Sequence, residues 1–185
     1  MNTTDLSRYN NDWFDEGAGI LKRTIWFFVN ALFFICPLNP LSGLKKFLLR
    51  LFGAKVGKGV VIKPRVNIKY PWKLSIGDYS WIGEGVWIDN LDRVDIGAHC
   101  CLSQEALLLI GNHNYQNPTF DLMIAPIILE DGVWLGAQST VTGGVTCKSH
   151  SVLAVQSVTS SDLEAYSIYR GNPAVKVKER VIKTR

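Results

Sequence analysis

Residues 76–88 read IGDYSWIGEGVWI, with isoleucine at 76, 82 and 88 and glycine directly after the first two. A period of six is neither the 3.6 of a helix nor the plain alternation of a strand. It fits one short strand plus a turn, and three such units close a triangular coil with its aliphatic residues inside. Outward from this stretch the beat continues. Toward the N-terminus it takes in Val56-Gly57, Ile62 and Ile68; toward the C-terminus, Ile96-Gly97, Leu102 and Leu108. After a gap it resumes at Leu129, Leu135-Gly136, Val141, Cys147, Leu153 and Thr159. No coil can bury its own apolar edge, so stability comes from stacked neighbours, and glycine after the inward residue relieves crowding at the bend. The pattern predicts an all-β fold, a parallel β-helix of hexapeptide repeats.

The first three coils start at Val56, Ile76 and Ile96, a spacing of twenty, so two extra residues fall after each third hexad. A fourth coil is due near residue 116, yet the pattern resumes only around 127–129. The intervening GNHNYQNPTFDLMIA (Gly111–Ala125) is therefore a protruding loop, set at 111–126, that carries His113. One coil earlier the same corner holds Asp89, Asn90, Asp92 and Arg93, about 4.8 Å away by strand spacing. The expected organisation is a helical segment over 1–53 and a β-helix domain over 54–185, ending in a tail over 171–185.

The chain has 185 residues, 47% apolar and 19% charged, with a net charge of +4. This suits a packed fold and gives no sign of a nucleic-acid partner. Cys36, Cys100, Cys101 and Cys147 form no C-x-x-C pair and read as reduced thiols. His99 and His150 fall at turn-like positions, far from His113, so no metal site is expected. Before the repeat, residues 20–35 and 40–53 read as two helices covering the open edge of the first coil, the second through Leu44, Phe47, Leu48 and Leu51. The apolar run Thr24–Cys36 is shorter than the ~20 residues of a membrane span. It suits either a packed helix or an interfacial one on the inner membrane face, flanked by Lys22, Arg23, Lys45, Lys46 and Arg50.

The isoleucine-glycine hexads, the histidine loop, DGVWLGAQSTVTGGVT and the terminal YRGNPAVKVKER resemble the hexapeptide-repeat acyltransferases. Within them the chain is most similar to the acetyltransferases of colanic-acid-type exopolysaccharide synthesis, through FLLRLFGAKVGKGVVIKPRVNIKYPWKLSIGDYSWIGEGVWI and GNHNYQNPTFDLMIAPI. The resemblance implies left-handed winding, a cytoplasmic homotrimer with clefts between prisms, acetyl-CoA as donor and a saccharide acceptor. It assigns His113 as the catalytic base for O-acetylation of a sugar hydroxyl, which needs a base because a neutral hydroxyl is a poor nucleophile. Asp89, Asn90 and Asp92 are candidates to orient the imidazole or bind acceptor, with Asn112, Asn114 and Tyr115 in the loop. For the donor, family positions fall on Ala137, Val155, Ser160, Ser161 and Lys178. A family lysine is Ser161 here and a family arginine is Val175, so Lys176, Lys178 and Arg180 are expected to meet the CoA phosphates. N-acetylation of an amino sugar would use the same histidine, and a non-catalytic trimeric sugar-binding scaffold would need neither the loop nor the CoA positions.

Overall fold

A computed structural model of the chain describes residues 3–183. Residues 1, 2, 184 and 185, the outer ends of the helical segment and of the tail, lie outside the described residues.

Backbone pairing follows the spacing of the hexads: Val56 pairs in parallel register with Ile76, Ile76 with Ile96, Ile96 with Leu129 and Leu129 with Cys147. Three parallel sheets result. The first face stacks Lys55–Val56, Leu74–Ile76, Val94–Ile96, Ile127–Leu129 and Thr146–Cys147. The second runs from Val61–Ile62 through Trp81–Ile82, Cys101–Leu102, Trp134–Leu135 and Val152–Leu153 to Ser167–Gly171. There the antiparallel strand Ala174–Glu179 pairs with Ser167–Gly171. The third holds Asn67–Ile68, Trp87–Asp89, Leu107–Leu109, Thr140–Thr142 and Val158–Thr159. Every hexad residue from Ile62 to Thr159 is no more than 2% exposed.

A second inward row was not apparent from the hexad pattern. It comprises Val60, Val66, Ser80, Val86, Cys100, Ala106, Val133, Ser139, Val145, Ser151 and Ser157, all buried. Each follows a corner residue in the left-handed region, such as Tyr79 (φ 57°), His99 (φ 56°) or Gly132 (φ 70°). Non-glycine residues bear that strain because their side chains stack from coil to coil. Tyr79 lies 5.3 Å from the His99 ring, and Gln138 Nε2 donates to Glu105 Oε2 at 2.8 Å. Three of the serines in this row find partners inside, and Ser80 is the clearest: its Oγ donates to Gly97 O at 2.7 Å and accepts from Cys100 N at 2.9 Å, whereas the buried Ser151 Oγ has none among the described residues.

The glycines after the inward isoleucines answer to the next coil rather than to the bend. A Cβ at Gly77 would fall 2.5 Å from Ala98 N, and one at Gly136 would fall 2.5 Å from Val155 N. Both contacts are with backbone, which cannot move aside.

The first coil leaves a free strand edge, and two helices close it: α1 (Ile20–Val29), extended by a π turn over Asn30–Ile35, and α2 (Ser42–Leu51). Trp26 Nε1 donates to Ile68 O at 2.9 Å, Lys45 Nζ donates to Lys63 O at 2.8 Å, and Ser42 Oγ accepts from Ile62 N at 2.9 Å. These bonds occupy backbone groups that an open edge would offer to another chain. The expected face of α2 is corrected here. Its buried residues are Lys45 and Leu49, whereas Phe47 and Leu51 are 60% and 65% exposed. The long Lys45 stem packs inward because its ammonium has a carbonyl to reach, and burial lowers the Lys45 pKa.

Candidate active site

At the third corner, between the third face and the first, the chain leaves the prism at Ile110 and returns at Ile127. The excursion is a hairpin in which Asn112 and His113 pair with Met123 and Leu122. Its tip is tied by Asn117 Nδ2 and Thr119 Oγ1, both donating to Asp121, and these bonds lower the Asp121 pKa. Phe120 adopts φ 54°, which turns its carbonyl onto His113 Nδ1 at 2.8 Å. The two rings stack with centroids 4.4 Å apart and planes 10° from parallel. A carbonyl can only accept, so the neutral imidazole carries its proton on Nδ1 and leaves Nε2 with a free lone pair. The Tyr9 ring lies 5.8 Å away, carried by an N-terminal arm whose Asp5 N donates to Pro118 O at 2.8 Å.

The sequence candidates for orienting this ring separate. Asp89 is 7% exposed and ion-paired to Lys69 Nζ at 3.0 Å. It lies beneath the loop's root, where a Cβ at Gly111 would fall 3.5 Å from its Oδ2. Asn90 is 0% exposed, and its amide clamps the coil before it, accepting from Tyr70 N at 3.0 Å and donating to Tyr70 O at 2.6 Å. The Asn90 side chain is thus held by the backbone of the preceding coil. Asp92 accepts from Arg93 N at 2.6 Å. Asn112 and Asn114 shape the loop, accepting from His113 N at 2.8 Å and Gln116 N at 3.1 Å. Tyr115 projects at the tip, 78% exposed. Main-chain Phe120 O takes the orienting role.

A cleft of about 380 Å³ opens between α1 and the third face, lined by Trp26, Asn30, Asn67, Tyr70, Trp87 and Asp89 among others. A larger groove of about 680 Å³ runs along the second corner, lined by Gln104, Trp134, Ala137, Val155, Ile168, Lys178 and Arg180 among others. Ala137, Val155 and Lys178 line this one groove together. Lys176 does not join them. The spacing of two would put it beside Lys178, but a bulge opposite Ile168 and Tyr169 separates them. Lys176 instead pairs with Glu164 and Glu179, each at 2.7 Å, which raises its pKa. Ser160 and Ser161 lie outside the groove, exposed at the third corner after strand Val158–Thr159. Gln104, which also lines the groove, was not singled out by the sequence.

No family model matches the chain. Over 177 residues it is 40% identical to the putative colanic acid biosynthesis acetyltransferase WcaF of Escherichia coli (strain K12), covering 96% of this chain and 97% of that protein. The chain belongs to the hexapeptide-repeat acetyltransferases. The fold of this acetyltransferase matches that of a hexapeptide-repeat acetyltransferase from Vibrio cholerae O1 biovar eltor in complex with acetyl coenzyme A, with a TM-score of 0.81, 20% identity and coverage of 91% and 93% of the two chains. It also matches a maltose O-acetyltransferase from Clostridium difficile 630, with a TM-score of 0.79, 19% identity and coverage of 94% and 92%.

The corner clamp gives a prediction for this acetyltransferase. Replacing Asn90 with alanine removes both bonds to Tyr70 and is expected to cost roughly 1–3 kcal/mol, the range for leaving buried polar groups unpaired. Urea unfolding of Asn90→Ala measures it, and an unchanged midpoint would count against the clamp.

Proposed function

We propose that the protein transfers the acetyl group of acetyl-CoA to a hydroxyl of a sugar in a cell-surface polysaccharide or its precursor, in sites shared between copies of a trimer. The observation that carries this is the bond from His113 Nδ1 to Phe120 O, which leaves Nε2 unprotonated on a loop outside the prism. His113 takes the acceptor hydroxyl proton at Nε2 as that oxygen attacks the thioester carbonyl carbon. It returns the proton to the departing thiolate, so no acyl-enzyme forms and the imidazole ends as it began. The aromatic rings and hydrogen-bonding side chains that line the α1 cleft, Asp89 among them, suit a saccharide. Lys178 and Arg180 supply cations at one part of the second-corner groove, and Ala137, Val155 and Ile168 give it an apolar wall. That combination suits a phosphorylated carrier with a long, uncharged arm.

The same layout supports the trimer. The histidine loop leaves the third corner, the groove follows the second, and no loop residue lines the groove. The breadth of the third face separates them within one chain. A closed ring of three parallel prisms sets the third corner of one copy against the second corner of the next. Ser160 and Ser161 share the loop's corner, so they would face the neighbour's groove together with His113. Incubation with acetyl-CoA and saccharides from the producing cell's surface polysaccharide tests the activity. The expected product is an ester removed by mild base. A base-stable amide would establish an amino sugar as acceptor and overturn the hydroxyl reading.

A further inference from the structure

From Ile25 to Ile35, helix α1 and the π turn after it are apolar at every position but Asn30, a composition normally found inside a protein. Only one stripe of them is covered, through Trp26, Asn30 and Phe34. The opposite stripe is open: Leu21 is 71% exposed, Ile25 46%, Phe28 58% and Leu32 64%, one residue per turn along a single line. Leu38, just beyond, is 87% exposed, and Phe47 and Leu51 of α2 are exposed as well. An exposed apolar stripe running the length of a helix marks a contact surface.

Charge identifies what the surface meets. Residues 17–77 hold eleven of the chain's 20 Lys and Arg and none of its 16 Asp and Glu. Lys46, Lys55 and Lys63 make no ion pair among the described residues. The helices sit on the free edge of the first coil, so this basic, apolar surface forms one end of the prism. A second copy docking end to end would bring cations against cations, which opposes association. An anionic phospholipid bilayer supplies both an apolar interior for the leucine and phenylalanine side chains and negative headgroups for the lysines. Among the described residues no helix is long and apolar enough to cross a membrane, so the contact is interfacial.

We infer that the N-terminal end of the prism docks on the surface of an anionic bilayer through the Leu21, Ile25, Phe28 and Leu32 stripe. Vesicle flotation tests this with two lipid compositions, phosphatidylcholine alone and phosphatidylcholine with phosphatidylglycerol. The full chain is expected to float with the anionic vesicles at least tenfold more than with the neutral ones, and less as salt is raised. The triple variant Leu21→Gln, Phe28→Gln, Leu32→Gln is expected to lose that binding by a similar factor while its melting temperature and its mass in solution stay unchanged. Failure of the unaltered chain to float, or equal flotation of the variant, overturns the inference. So does a change in the variant's oligomeric mass without lipid, which would assign the stripe to a contact between copies.

Discussion

His113→Ala is expected to lower kcat for acetyl transfer by about a thousandfold, within the 10²–10⁴ that a positioned base contributes. Release of free thiol from acetyl-CoA measures it. The prism gives a sharp control, because His113 lies on a hairpin outside the stacked core and its side chain fills no position in either inward row. Folding, melting temperature and oligomeric mass should therefore be untouched, so the loss falls on chemistry alone. His113→Gln keeps a side-chain donor toward Phe120 O but offers no comparable base, and it should be as inactive as the alanine variant. Near-normal turnover in either variant would remove the imidazole from the reaction.

The second large effect is recovery. A protomer lacking the imidazole and a protomer with its groove blocked by Ala137→Tyr should each be inactive alone. In a shared site, an intact loop on one copy meets an intact groove on the next. Random mixing of the two variants by co-expression then makes about a quarter of all sites complete, given equal interfaces around a closed ring. Activity should rise from background to about a quarter of the wild-type value. Were each site built within one chain, mixing would restore nothing, so the measurement separates a shared site from a private one without any need to know the natural acceptor.

The hexad positions could be read in the sequence because each must present an aliphatic group to the coil above and the coil below, from Ile62 through Leu153. The second inward row was hidden because its space is small, and serine, alanine, cysteine and valine all fit there. The α2 face was misjudged because a buried Lys45 with a backbone partner has the same letter as a solvated lysine. Lys176 and Lys178 looked equivalent because one bulge reverses alternation without changing composition. Most telling is His113. Its residue and loop were evident, but its partner is a main-chain carbonyl aimed by the φ 54° of Phe120, and no residue type encodes a carbonyl.

The helices that close the first strand edge also precede it in the chain, and this has a consequence for how the protein is made. A ribosome releases α1 and α2 before any repeat, so the first turn to emerge meets a ready template, and each later turn needs only the one before it. Winding can thus be vectorial, keeping pace with synthesis and exposing one unpaired rung at a time, until the antiparallel strand Ala174–Glu179 pairs with the outer strand of the second face.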